Sequence, residues 1–187
     1  MEDKKKWILE TALKLFTSQG FHNTPTSQIA KEAGVATGTL FHYFKTKEDL
    51  INYLYLECKD SMKTAMLNGL FEEKDPVKQI KKLWLNIISW GINNTNEFLF
   101  FQQYSNSPFI TNMTKEEGIN RLAFLYDFIE SSKSLNILKD IPPDLLIDLT
   151  YGTISAMIYN ILKFPERIND KEYMEKAFSI FWDSIKN

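Results

Sequence analysis

Residues 24–50 read TPTSQIAKEAGVATGTLFHYFKTKEDL, and the order of glycine, proline and hydroxyl side chains in this stretch decides the fold. Thr24 is a good N-cap, and Pro25 suits the first helical position, where no amide hydrogen is required. Ile29, Ala30 and Ala33 then form the inward face of a short helix. Gly34 can take the left-handed conformation that ends it. The chain turns through Val35 and Ala36, and a second short helix starts at about residue 37 with Leu40 and Phe44 facing inward. Thr46 and Asp49 have the spacing of a local capping pair that starts another helix. Upstream, residues 4–18 place Ile8, Ala12, Leu15 and Phe16 on one apolar stripe, with Gly20 as the stop. Two short helices joined by a tight turn behind an amphipathic helix form a helix-turn-helix unit.

With Leu40 and Phe44 committed inward, Thr37, Gly38, Thr39, Phe41, His42 and Tyr43 lie on or near the outer surface. Hydroxyls, a small residue, an imidazole and a phenol suit a surface that enters a DNA major groove. Gly38 costs roughly 1 kcal/mol of helix stability relative to alanine, which is explained if a side chain there would strike DNA. Lys47 begins the fourth helix, where outward amide hydrogens and the helix dipole favour an anion, so it reads as a phosphate clamp. Thr24, at the other helix start, would supply a matching hydroxyl contact. The competing reading is an ordinary helical corner with a polar surface, in which each lysine is a solvated charge. The coincidence of the two helix starts favours DNA.

Composition fits a folded chain. It has 187 residues, 44% hydrophobic and 14% aromatic, and a formal net charge of −2, far from disordered composition. Residues 1–50 hold seven lysines against six acids, a modest local excess of positive charge. One cysteine, Cys58, excludes an intramolecular disulfide framework and a clustered thiolate zinc site. No signal-type or membrane-spanning stretch is read, so a cytoplasmic protein with no membrane partner is expected. The periodicity predicts further helices at about 47–68, 77–95, 96–105, 115–133, 144–163 and 171–185, with Thr114 and Glu117 as a cap for the helix over 115–133. No strand-like alternation is long enough to build a sheet. The fold class is therefore all-α.

The run ILETALKLFTSQGFHNTPTSQIAKEAGVATGTLFHYFKTKEDL, residues 8–50, resembles the DNA-binding domain of TetR-type transcriptional regulators. The match includes ALKLF, Gly20-Phe21, Thr24, IAKEAGV, GTLFHYF and KTKEDL, in order and without gaps. The resemblance implies an all-helical homodimer of about nine helices. A three-helix DNA-binding domain over 1–46 would precede a ligand-binding and dimerisation domain over 47–187. It implies phosphate contacts at Thr24 and Lys47, and a reading helix exposing Thr37, Gly38, Thr39, Phe41, His42 and Tyr43. Two positions depart from the family pattern. Ala36 stands where a capping side chain is usual, so a cap must come from Thr37 or be absent. Phe41 stands where a tyrosine is usual, which removes a hydroxyl able to meet phosphate.

The remainder carries less specific signals. Trp84, Trp90, Phe98, Phe101, Tyr104 and Phe124, with Arg121, belong to an aromatic-rich region that either fills a bundle core or lines a small-molecule pocket. The resemblance favours the pocket, with a small apolar or aromatic inducer as its occupant. Asn86, Asn93 and Gln103 are further polar candidates, and Glu97 leaves room for a cationic aromatic. In DLLIDLTYGTISAMIYNILKF, apolar residues occupy more than one face, and Gly152 and Ala156 permit close helix approach. Leu149, Gly152, Ala156 and Tyr159, joined by Tyr173, Ala177, Ile180 and Phe181 of the last helix, are the expected dimer seam. The reading is a ligand-responsive regulator, most simply a repressor that binds palindromic operator DNA as a homodimer and is released by inducer. No cofactor or metal is expected. The alternatives are a constitutive DNA-binding protein with no ligand and an all-helical enzyme. The enzyme reading lacks motif support, because His22 and His42 both fall in the DNA-binding unit and no nucleophile, metal or phosphate-loop pattern occurs.

Overall fold

The computed structural model describes residues 2–187, with the side chains described from Asp3 onward. Among these residues there are ten α-helices: α1 (Glu2–Gln19), α2 (Thr26–Glu32), α3 (Thr37–Tyr43), α4 (Lys47–Leu67), α5 (Pro76–Asn93), α6 (Thr95–Tyr104), α7 (Asn112–Arg121), α8 (Phe124–Ser134), α9 (Pro143–Lys163) and α10 (Lys171–Ile185). Short 3-10 turns at Leu70–Glu72 and Pro165–Asn169 complete the order. The fold is all-α, as the sequence predicts. The chain divides into two compact units, one of residues 1–60 with 94–120, the other of 61–93 with 121–187. The domain boundary expected at 46/47 falls within the first unit.

The first unit is built around α1. Ile8, Ala12, Leu15 and Phe16 are buried on its inner stripe, α1 packs on α2 and α3, and Ile29 and Ala30 of α2 and Leu40 of α3 are buried as well. Two turns fix the corner. Gly20 has φ +80° and follows α1, with its amide donating to the Phe16 carbonyl at 3.0 Å. Gly34 has φ +67°, and the amides of Gly34 and Val35 donate to the carbonyls of Lys31 (3.2 Å) and Ala30 (2.9 Å). That pair of bonds is a Schellman ending, which needs the left-handed residue at Gly34. The start of α4 is the reciprocal cap expected from sequence: the Asp49 amide donates to Thr46 Oγ1 at 2.9 Å, and the Thr46 amide donates to Asp49 Oδ2 at 3.1 Å.

The three-helix head does not end at α3. α6 packs along α1, where Tyr104 donates its hydroxyl proton to the Phe16 carbonyl at 2.8 Å and Gln103 Nε2 donates to the Thr17 carbonyl at 3.1 Å. Phe109 stacks on Phe21 with ring centres 4.2 Å apart, and Asn52 of α4 bonds the backbone of Phe109 and Thr111. These ties cap the open ends of α1 and hold the loop after α6.

In the second unit α5 packs on α9. Gly91 is buried in that contact, where any Cβ would collide with Ile158. Trp84 of α5 lies in an aromatic cluster with Phe178 (5.5 Å) and Phe181 (6.1 Å, stacked) of α10. Asp170 caps α10 by accepting from the Tyr173 amide at 3.0 Å. Among the described helices, α9 alone is long and apolar enough to cross a membrane by length and composition. Ile154, Ile158 and Ile161 are buried on one face, with Ile158 against Gly91 of α5, and the opposite face is exposed.

The helix predicted over 115–133 is two helices, α7 and α8, broken at Leu122–Ala123. Neither glycine nor proline marks the break; the Leu125 and Tyr126 amides turn back to Leu122 and Ala123 (3.0 Å each), and Leu122 is buried. Nor does Thr114 cap α7. Thr111 does, accepting from the Thr114 amide at 3.1 Å, while Thr114 is buried inside the helix with its hydroxyl 2.9 Å from that of Thr111.

Candidate nucleic-acid interface

The outer face of α3 follows from the burial of its inner one. Leu40 is fully buried and Phe44 is 3% exposed. Around them Thr37, Gly38, Phe41 and His42 are exposed, and Thr39 and Tyr43 are partly so. Phe41 keeps 43% of its surface open, a large aromatic face with no core to fill. His42 and Tyr43 meet edge to face at 5.4 Å. Nothing lies within 4 Å of where a Gly38 Cβ would stand. The free chain therefore accepts a side chain there, and packing within the protein gives no reason for the glycine. Ala36 is the N-cap of α3 and makes no side-chain capping bond, so the cap left in question by the sequence is absent.

Lys47 opens α4 beside this face. Its ammonium donates to the carbonyls of Phe21 (2.7 Å) and Thr24 (3.2 Å) and lies 4.2 Å from the centre of the Phe21 ring. The side chain thus ties the α1–α2 corner to the start of α4 and brings positive charge to that edge. Exposed Lys45 stands two residues earlier.

Thr24 requires correction. It is fully buried, and its hydroxyl donates to the Gly20 carbonyl at 2.8 Å and the Leu15 carbonyl at 3.3 Å. It closes the end of α1, and it is not the cap of α2, which follows Pro25. A phosphate cannot reach it. The exposed hydroxyl at that helix start belongs to Ser27, a position that the proline-based reading passed over.

The aromatic candidates divide between the two units. In the first, Phe98, Phe101 and Tyr104 are all buried on α6. Phe101 meets Tyr55 of α4 edge to face at 5.5 Å, whereas Tyr104 turns to α1. In the second, Trp84 packs on α10, Trp90 donates its indole proton to Ser61 at 3.0 Å, and Arg121 and Phe124 are partly exposed. Two polar candidates serve internal ties: Asn86 Nδ2 donates to the carbonyls of Met66 and Asn68, and Gln103 bonds α1 as above. Of the expected seam, Leu149, Gly152, Ala156 and Tyr159 form an exposed stripe along α9, and Ala177 is partly exposed. Phe181 is the second correction. It is 6% exposed and packed on Trp84, so it cannot face a partner; Ile180, 74% exposed, occupies the outward position of that turn.

Comparison with known proteins agrees with this geometry. Residues 8–54 match the family of bacterial regulatory proteins, tetR family, and residues 76–186 match the tetracyclin repressor-like C-terminal domain. The chain is 38% identical over 96 residues to the uncharacterized HTH-type transcriptional regulator YuxN of Bacillus subtilis, an alignment that spans 47% of this chain and 32% of that protein. It is 25% identical over 182 residues to the HTH-type transcriptional regulator AcrR of Shigella flexneri, spanning 91% of this chain and 84% of that one. A TetR family transcription regulator from Shewanella sp. PV-4 superposes with a TM-score of 0.91 at 35% identity, covering 98% of each chain. The regulator FadR from Bacillus subtilis, in complex with stearoyl-CoA, shares the fold at TM-score 0.73 and 21% identity, covering 94% of each chain. The chain belongs to the TetR family of bacterial regulatory proteins and is a helix-turn-helix transcriptional regulator, not an enzyme.

Proposed function

We propose that the chain is a cytoplasmic repressor that holds palindromic operator DNA as a homodimer and is released by a small-molecule inducer. The observation that carries the DNA part is the exposed α3 face, Thr37, Gly38, Thr39, Phe41, His42 and Tyr43, set beside the ammonium of Lys47. A single short reading helix covers little DNA, whereas a two-fold pair reads two half-sites and combines their affinities. The exposed stripe of α9, Leu145, Leu149, Gly152, Ala156 and Tyr159, supports a self-complementary seam, and α10, which contacts α9, exposes Ile180 and part of Ala177. Those residues give an apolar surface with small residues at its centre, the composition of a close helix pair.

The inducer part is supported by α6. One face of this helix holds α1 through Tyr104 and Gln103, and another presents Phe101 to α4. A ligand that repacks Phe101 acts on the element that fixes the reading head. Because binding at linked sites is reciprocal, a ligand favouring a different packing of α6 weakens DNA binding. That a relative of the same fold is held with an acyl-CoA supports a ligand with an apolar body. A constitutive regulator with no ligand is the alternative, and a chain that holds its operator equally in the presence of every small molecule tested would establish it.

The DNA face is tested on genomic fragments selected by the purified chain, followed by anisotropy titration. Tyr43→Ala and Lys47→Ala are each expected to weaken binding, and Lys47→Ala to reduce the salt slope by about one per half-site. If both variants match the parent at one fixed salt concentration, the interface lies elsewhere. Lys47→Ala also loses its two carbonyl contacts, so its folding is checked separately by denaturation.

Gly38→Ala separates the two uses of that position. The substitution meets no atom of the chain, so helix propensity raises stability by up to about 1 kcal/mol. Operator affinity is expected to fall at the same time, because the added methyl meets DNA. Denaturant melts and anisotropy on one preparation check both directions.

A further inference from the structure

The first turn of α1 carries Lys4 and Lys5, and Lys6 and Trp7 follow on the next. A helix start is the positive end of its dipole, so an acid such as Asp3 suits it and lysines run against it. A local choice that opposes its own element marks a second demand on those residues. Lys6 meets Glu10 at 3.9 Å, with both side chains exposed. Lys4 is exposed and makes no ion pair or hydrogen bond among the described residues. Trp7, three positions on, lies beside it on the helix surface. The indole keeps 49% of its surface open and meets no other ring among the described residues.

Lys5 turns instead to α4. Its ammonium donates to the Tyr53 hydroxyl oxygen at 2.6 Å and lies 3.8 Å from the centre of that ring. The phenol keeps its own proton to give, and among the described residues no acceptor takes it. Hydrogen bonds in series polarise one another, so a hydroxyl that accepts from an ammonium donates more strongly. The Tyr53 ring lies 5.5 Å from that of Phe44, which ends α3, and Phe44 lies 6.4 Å from Tyr43 on the outer face. The cluster is thus continuous with the reading head. It stands at the opposite end of α1 from Lys47, whose ammonium holds the corner after that helix. The helix rises about 21 Å between residues 5 and 19. A single exposed indole is ordinary on a protein surface; this one stands among two ammoniums and a phenol proton, all of them donors.

We propose that Lys4 and Trp7 of α1, with the Lys5–Tyr53 pair, form a second contact to the DNA sugar–phosphate backbone, beyond the end of α3. A phosphodiester offers acceptors only, which the ammoniums, the indole N–H and the phenol proton match. The flat indole adds apolar area for the deoxyribose beside that phosphate. The contact is made by side chains of two helices, and the amide ends of α1 take no part in it. Backbone contacts fix position and carry no sequence information, so this one raises affinity for operator and random DNA alike. The contact extends the face proposed for α3, and either can fail alone.

The full chain and its variants are titrated by anisotropy at several salt concentrations against a genomic fragment selected by the parent and a random duplex of the same length. Lys4→Gln is expected to lower both affinities by one common factor, about fivefold per half-site at 0.15 M salt, and the salt slope by about 0.9 per half-site. Tyr53→Phe keeps the ring and every charge. It is expected to lower both affinities at least about tenfold, the span of one hydrogen bond to a charged group, with the slope unchanged. Tyr43→Ala, on the groove face, is expected to lower operator affinity more than random affinity. Trp84 and Trp90 are buried, and the part of the parent's emission that Trp7→Phe removes is expected to change on saturation with either duplex. Lys4 and Trp7 have no partner to lose, so their variants are expected to melt with the parent, which separates a lost contact from a lost fold.

Parental affinity for both duplexes in the combined variant Lys4→Gln/Trp7→Ala overturns the proposal, as does a Trp7 emission that DNA leaves unchanged. A loss confined to the operator also overturns it, since a backbone contact cannot tell the two duplexes apart. A combined variant that binds DNA as the parent does but differs from it in mass by light scattering gives the surface to a protein partner. If Tyr43→Ala and Lys47→Ala match the parent while the combined variant weakens binding, the α3 reading fails and this contact stands. If those two weaken binding and the combined variant does not, the α3 reading stands and this contact fails.

Discussion

The double variant Leu149→Glu/Ala156→Glu is expected to be a folded monomer with operator affinity lowered about 10²–10⁴-fold, the span that linking two binding modules supplies. Both residues are exposed on α9, and Leu149 keeps 55% of its surface open. Surface substitutions of this kind ordinarily change protomer stability by within about 0.5 kcal/mol. In a two-fold seam the same patch meets its own copy, so each glutamate would be buried against apolar surface and near its symmetry mate, without a counter-ion. Light scattering gives the mass, circular dichroism the helix content, and anisotropy the affinity for a palindromic site and for its half. A variant that stays dimeric with parental affinity places the seam elsewhere. A monomeric variant that keeps parental affinity removes the argument from paired half-sites.

Trp84→Ala is expected to cost about 3–5 kcal/mol, the range for removing a buried large aromatic. Trp84 is 2% exposed, lies against Phe178 and Phe181, and ties α5 to α10. A domain of ordinary stability has about 5–15 kcal/mol in total, so the second unit of the variant would be near its unfolding threshold. The same measurement separates the two roles open to an aromatic in this region. A residue lining an open pocket leaves stability almost unchanged on truncation and shifts ligand affinity. Loss of less than about 1 kcal/mol by denaturant unfolding would give Trp84 to a pocket.

What the sequence revealed follows from how local each signal is. The Gly34 ending and the Thr46–Asp49 cap depend on residues within five positions of one another, and both form as read. So do the inward positions of Leu40 and Phe44, set by one turn of helix. Thr24 was ambiguous because a threonine between two helices can cap the second or close the first. Which it does depends on the path from Gly20, and the structure has it closing the first. The break at Leu122–Ala123 has no glycine or proline to announce it, and the apolar periodicity runs through. Ile180 and Phe181 are both expected at the seam, and because they are adjacent only the packing of Phe181 on Trp84 tells the inward one from the outward one. The contact of Lys59, on the apolar stripe of α4, with the Phe101 ring joins residues more than forty positions apart, beyond the reach of any local pattern.

The contact of α6 with α1 has a consequence for protein engineering. Chimaeric regulators are commonly imagined as an N-terminal reading head cut at its last helix and joined to a foreign sensor. Here such a cut, after residue 46, would strip Tyr104 from the Phe16 carbonyl, Gln103 from that of Thr17, and Phe109 from the Phe21 ring. The transplanted piece would carry a bare apolar flank and unsatisfied carbonyls into water. A portable version must take two separated stretches of chain, 1–60 and 94–120, and splice the foreign sensor into the gap between them.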